Sequence, residues 1–129
     1  MRVLVDTSVW INHLRRKEPE LVVLLEAGQV VGHSAVIGEL ACGTLRDRER
    51  VLGDLRQLPS VSEPRGEEAL HLLDRYRLWG RGLGWIDVLL LASCRLGGAS
   101  LWTRDRALGA AAGELGVEYH PQAASPGVG

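Results

Sequence analysis

Val3-Leu4-Val5-Asp6-Thr7-Ser8-Val9-Trp10 stands near the start of the chain and decides its architecture. Val3, Leu4 and Val5 form an apolar run without the alternation of a half-exposed strand. Such a run suits a parallel strand buried on both faces. It stops at Asp6, and Asp6-Thr7-Ser8 supplies side chains that can cap a helix. Val9, Trp10, His13 and Leu14 then fall on one helical stripe, which Arg15-Arg16-Lys17 closes.

The alternation of strand and helix continues outward from there. Pro19 fits the first turn of a second helix carrying Leu21, Val22, Leu24 and Leu25, with Gly28 past its end. Val30-Val31-Gly32-His33 reads as a second strand. Ser34 is the expected N-cap of a helix with Ala35, Val36, Ile37, Leu40 and Ala41, ending at Gly43. A helix is predicted over 47–58, stopped by Pro59, with a short strand near Val61 and another helix over 66–79. Gly80, Gly82 and Gly84 follow a helix instead of a strand, so they read as a hinge or cap and not as a dinucleotide loop. An apolar helix over 85–96 leads to a strand at Ser100-Leu101-Trp102, a helix over 105–115 and a last strand over 117–119. The pattern predicts an α/β fold around a mostly parallel sheet. It forms one domain over 1–120, and the Pro- and Gly-containing 121–129 is expected to fray.

The bulk numbers agree with one globular domain. The chain has 129 residues, 46% hydrophobic and 24% charged, enough to bury a core without disulfides. Its net charge of −1, from 15 basic and 16 acidic residues, excludes the basic footprint of a protein that holds duplex DNA by charge alone. It does not exclude a nucleic-acid substrate met through metal ions, which the count omits. Cys42 and Cys94 sit in apolar helical runs and read as buried free thiols. No CxxC or Cys/His cluster points to zinc. There is no signal-peptide pattern, and the apolar run from Val88 to Ala92 is too short to span a membrane. A soluble cytoplasmic protein is expected.

Four acids stand out. Asp6 closes the first strand, and Asp105 follows the Leu101-Trp102 strand by a short turn. Ligands of such sheets bind at the carboxyl ends of strands, where two such acids can meet. Asp87 lies within Trp85-Ile86-Asp87-Val88-Leu89-Leu90-Leu91-Ala92, and Glu39 between Ile37-Gly38 and Leu40-Ala41. Each has an ordinary reading, as a helix-dipole partner in the first turn or a solvated helix position. Each also has a sharper one, since carboxylates among apolar neighbours are paired or bound to metal. Gathered in one pocket, the four acids repel and raise each other's pKa. A divalent cation removes that conflict, Mg²⁺ prefers oxygen ligands, and such a site suits phosphodiester hydrolysis.

Val5-Asp6-Thr7-Ser8-Val9-Trp10-Ile11, Ile37-Gly38-Glu39-Leu40-Ala41-Cys42-Gly43, Ile86-Asp87-Val88-Leu89-Leu90-Leu91-Ala92-Ser93 and Leu101-Trp102-Thr103-Arg104-Asp105 occur in this order. The set resembles the PIN-domain family, and within it the VapC-type toxins of prokaryotic toxin–antitoxin pairs, from Arg2 to about Tyr119. The resemblance implies a three-layer α/β/α sandwich and Mg²⁺- or Mn²⁺-dependent RNA cleavage. It implies that Asp6, Asp87 and Asp105 lie closest to metal and that Glu39 helps position metal or water. It implies supporting hydroxyls at Thr7, Ser8 and Thr103, whose other reading is capping. It also implies a homodimer and a cognate VapB-like antitoxin. Many relatives carry an aromatic residue shortly after the last acid. Here Arg106-Ala107-Leu108 follows, and Leu108 is expected to fill that core space.

Arginines cluster at Arg46, Arg48 and Arg50 and at Arg75, Arg77 and Arg81, beside Arg15-Arg16-Lys17. The first group alternates with Asp47 and Glu49, which suits local pairing, so 75–81 is the better RNA candidate. Trp79 and Trp85 flank the glycine hinge and can stack on bases if exposed, but read first as core residues. His13, His33, His71 and His120 are scattered and read as structural. An aspartyl-phosphate mechanism at Asp6 lacks its second Asp, because Ser8 stands there, and Lys17 is the only lysine. A binding module on the same fold, recognising RNA or a protein without cutting, is the alternative, and metal binding separates the two.

Overall fold

β1 (Val3–Val5) is the middle strand of a parallel sheet of order β2-β1-β3. β2 (Val30–Val31) pairs Val3 with Val30 and Leu4 with Val31. β3 (Ser100–Trp102) pairs Val3 with Ser100, Leu4 with Leu101 and Val5 with Trp102. The computed structural model describes residues 1–122. All three residues of β1 are fully buried, as an apolar run between two strands and beneath helices requires.

The helices among the described residues are α1 (Thr7–Arg15), α2 (Pro19–Glu26), α3 (Ser34–Ala41), α4 (Arg48–Arg56), α5 (Gly66–Arg75), α6 (Trp85–Gly97) and α7 (Arg106–Glu114). The chain passes from β1 to β2 on one side, then back past β1 to β3 on the other. Parallel crossovers are almost always right-handed, so the two connections cover opposite faces of the sheet. This is the α/β arrangement expected. It places the carboxyl ends of β1 and β3 side by side at the point where strand order reverses.

Several boundaries are tighter than the sequence suggests. The strand read over 30–33 ends at Val31, and the strand near Val61 reduces to one bridge, Gly32 with Ser60. The last strand reduces to a bridge between Leu101 and Glu118. α5 ends at Arg75, not at Trp79, because Arg77 takes a left-handed conformation with φ 51°. Ser34 is the first residue of α3 rather than its cap; the His33 ring accepts the Ala35 N–H instead. Residues 123–129, most of the expected frayed tail, lie outside the described residues.

Three burial expectations are corrected. Cys42 is exposed, because α3 ends at Ala41 and the thiol sits on the cap beyond it; Cys94 is buried as expected, and burial pushes its thiol up to about 12. Trp79 and Trp85 are 59% and 45% exposed. They border a segment in which Gly80 and Gly82 hold φ of +71° and +80°, values that glycine adopts without strain. These turns carry the chain around the surface, and Trp85 opens α6 there.

Leu108 is fully buried in the main core cluster, on α7, which packs against β3. It fills the space expected of it. Leu108→Ala is expected to lower unfolding free energy by about 2–5 kcal/mol, read from denaturant melts. A loss below about 1 kcal/mol, far short of the usual cost of such a cavity, would mean that the site collapses and that α7 is not held there by this side chain.

Candidate metal centre

β1 ends by delivering Asp6 into the interior. The Asp6 N–H still follows the sheet, donating to the Trp102 carbonyl at 2.9 Å. Its carboxylate is only 7% exposed. Oδ2 accepts from the Ser8 hydroxyl at 2.7 Å, the Thr103 hydroxyl at 2.8 Å and, more weakly, the Ser8 N–H at 3.4 Å. A buried carboxylate needs such donors, because without them its desolvation is costly.

Thr103 joins the two strand ends. It follows β3, donates to Asp6, and accepts the Asp105 N–H at 3.0 Å. Asp105 then caps α7, its Oδ2 accepting from the Leu108 N–H at 2.8 Å. Ser8 makes a second tie, accepting the Arg104 N–H at 3.0 Å. Arg104 itself is ion-paired with Glu18. Asp87 lies in the first turn of α6, where its Oδ2 accepts the Gly84 N–H at 2.9 Å. Glu39 is exposed on α3, and its Oε1 accepts the Thr7 hydroxyl at 2.6 Å, linking α1 to α3. The hydroxyls of Thr7, Ser8 and Thr103 thus bond acidic side chains, while the Asp6, Asp87 and Asp105 carboxylates serve as the helix caps.

Electrostatics shows the four acids within reach of one another. Burial pushes the Asp87 carboxyl above its ordinary range, against the pull of the Gly84 N–H, and the charges of Asp6, Asp105 and Glu39 raise it further. Four elements, β1, α3, α6 and the turn after β3, therefore bring their acids to one side of the molecule.

Among the described residues, no three His, Cys, Asp or Glu side chains close on one point as a ready ligand cage. The donor set nonetheless suits Mg²⁺ or Mn²⁺. In each acid, all hydrogen bonds of the described residues fall on one oxygen: Asp6 Oδ2, Glu39 Oε1, Asp87 Oδ2 and Asp105 Oδ2. The other oxygen of each accepts no hydrogen bond from the described residues. An open, oxygen-only site fits an ion that keeps several of its waters.

One support is not legible in the sequence. His33 is 3% exposed; its Nδ1 accepts the Ala35 N–H, so the neutral ring donates through Nε2 to Ser93 Oγ at 2.9 Å. Burial lowers its pKa, against the charge of Glu63. Glu63 in turn accepts from the Ser34 N–H and hydroxyl at 2.9 and 2.7 Å. This network ties the start of α3 to α6, the helices that carry Glu39 and Asp87. Only the position of His33 just after the Val30-Val31 run signals it, and that pattern is common to many buried histidines. The 75–81 arginines are partly engaged: Arg81 is ion-paired with Glu114, and Arg75 lies over the Tyr76 ring.

A parallel sheet with acids at two strand ends, at the start of α6 and near the end of α3 is the arrangement of a known class. The PIN domain profile matches residues 3–114, and the chain belongs to the PIN-domain family. It is similar to "Ribonuclease VapC32" of Mycobacterium tuberculosis, in strains CDC 1551 / Oshkosh and ATCC 25618 / H37Rv. Identity is 50% over 119 residues, covering 89% of this chain and 94% of each relative. The crystal structure of PAE2754 from Pyrobaculum aerophilum matches with a TM-score of 0.57 at 18% identity, covering 92% of this chain and 91% of that one. That likeness bears on the fold alone.

The burial of Asp87, reinforced by the charges of the other acids, has a measurable sign. Because the Asp87 carboxyl is raised in the folded chain, its ionisation costs stability. That cost sets in as pH rises through the unfolded value near 3.8 and is complete above the raised folded value. Asp87→Asn keeps an acceptor for the Gly84 N–H and removes the charge. It is expected to raise the thermal midpoint at neutral pH in metal-free buffer, with the gain fading below the ordinary Asp range. Equal midpoints at neutral pH would mean that ionised Asp87 carries no such cost.

Proposed function

We propose that this chain is a divalent-metal-dependent endoribonuclease that acts as the toxin of a type II toxin–antitoxin pair. The observation that carries the reading is the set of four acids, each with one oxygen committed to the protein and one left free. Its presence in a PIN-domain chain half identical to a protein named Ribonuclease VapC32 supports RNA as the substrate.

In this reading Asp6, Asp87 and Asp105 hold Mg²⁺ or Mn²⁺, and Glu39 positions metal or water. When bound, the cation offsets phosphate charge and makes water a stronger acid and nucleophile. Water attacks phosphorus, the P–O bond to one ribose breaks, and the departing oxygen takes up a proton. The protein's part is orientation. Ser8 and Thr103 lock Asp6, Thr103 spaces Asp6 from Asp105, and Thr7 aims Glu39. The domain over 1–120 carries the whole site. Such a toxin works in the cytoplasm, as a homodimer, and is held inactive by a VapB-like antitoxin; no helix of the described residues is long and apolar enough to cross a membrane.

The test is cleavage of total RNA by the purified chain. Activity is expected with Mg²⁺ or Mn²⁺, loss with chelator, and loss in Asp6→Asn. Undiminished cleavage by Asp6→Asn overturns the mechanism, and a chain that binds RNA and metal without cutting supports the binding-module alternative. Thr103→Val removes a hydrogen bond behind the acids and is expected to lower activity by about 10–100-fold, the usual effect of losing an outer support of a metal site. Its readout is cleavage rate against Mn²⁺ concentration, where added metal restores part of the loss.

A further inference from the structure

We infer that the groove between α1, the end of α3 and α4 seats the single-stranded RNA that flanks the cut site, with Arg15 and Arg46 pairing with its phosphates. This rests on the ribonuclease reading above and adds to it the path of the strand.

The groove encloses about 860 Å³ and has Glu39, one of the four acids, in its wall. Arg15, Arg46 and Arg50 line it, together with Ile11, Leu14 and a second acid, Asp47, which faces Arg50. A chain with net charge −1 has no general attraction for phosphate, so any hold on RNA comes from local cations. Arg15 and Arg46 make no ion pair among the described residues. Arg50 reaches Asp47 and Asp54 only at 3.5 Å, with all three side chains exposed, a weak engagement that salt screens. In contrast, Arg104 and Arg81 are paired with Glu18 and Glu114, and Arg48 donates to the Ala41 carbonyl at 3.0 Å.

The lining also fits the chemistry of a single strand. Ile11 and Leu14 leave large apolar side chains exposed in the groove. Unpaired bases offer faces that rest on such a surface while the backbone meets arginines, whereas a duplex hides its bases. A strand whose scissile phosphate lies at the acids enters or leaves past Glu39, directly into this groove. The sequence favours 75–81 because Asp47 and Glu49 alternate with Arg46, Arg48 and Arg50. Folding leaves Arg46 without an ion pair among the described residues and brings it into the same groove as Arg15, which the sequence places far away.

The experiment measures binding of fluorescein-labelled oligoadenylate and oligouridylate by anisotropy in EDTA, across a salt series. It uses the full chain, its Arg15→Gln/Arg46→Gln double variant, and Arg75→Gln/Arg77→Gln as a control. Thermal melts check folding, which both exposed pairs should leave intact. The groove variant is expected to bind more weakly, with a salt slope lower by about 0.7 for each phosphate no longer neutralised, while the control keeps the parent slope. On RNA that the chain cuts, KM rises and kcat stays. An unchanged affinity and slope in the groove variant overturns the inference and leaves the groove to another occupant, such as a peptide. Failure of the parent chain to bind either oligonucleotide overturns it as well. If the chain binds RNA through these arginines yet cuts none with Mn²⁺, the groove stands and the nuclease reading falls.

Discussion

Asp6 carries a charge into the end of a fully buried strand, and the surrounding structure is arranged to meet it. Desolvating a carboxylate is costly unless donors or a cation replace water. Ser8 and Thr103 bring their hydroxyls to the same oxygen, one from the start of α1 and one from the end of β3. Those bonds require β1 and β3 to stay in register, because Val5 lies beside Trp102 and the Asp6 N–H beyond it bonds the Trp102 carbonyl. The buried charge and the parallel pairing thus constrain each other. A slip of one residue would turn Asp6 away from Thr103 and shift every side chain of the strand to the opposite face.

Asp87 relates to the other three acids through charge, with no hydrogen bond to them among the described residues. Asp87 and Asp105 each spend one oxygen as a helix cap, and Glu39 spends one on Thr7. A cap alone explains each acid singly. It does not explain why four elements present their acids to one another, since the electrostatic effect on Asp87 is unfavourable without a cation. Structural acids are usually placed near opposite charge. Here Arg104 and Arg81, the basic residues nearest in sequence to Asp105 and Asp87 with an ion pair, are bound to Glu18 and Glu114 instead. Among the described residues none of the four acids is ion-paired, which agrees with the proposed cation site.

Much of this is legible in the unfolded chain. The Val3-Leu4-Val5 run and the alternation after it define a buried parallel sheet, and strand-end logic picks out Asp6 and Asp105. Glu39 and Asp87 stand out by their apolar neighbours and by resemblance. What stays hidden depends on relations across the chain. Thr103 and Ser8 look like cap residues until β1 and β3 are laid side by side. The His33–Ser93 bond spans 60 positions, and no local pattern announces it. Trp79 and Trp85 misread as core because apolar character alone does not say which way a glycine-bordered turn carries the chain. Arg46 misreads as self-paired because the acids near it, Asp47 and Asp54, engage Arg50 instead.

Whether the four acids form one divalent-cation site is decided by electron paramagnetic resonance of free Mn²⁺ during titration into the metal-free chain. Saturable uptake is expected at neutral pH, weakened in each of Asp6→Asn, Glu39→Gln, Asp87→Asn and Asp105→Asn. Uptake unchanged in all four variants, or no saturable uptake by the parent chain, would contradict such a site.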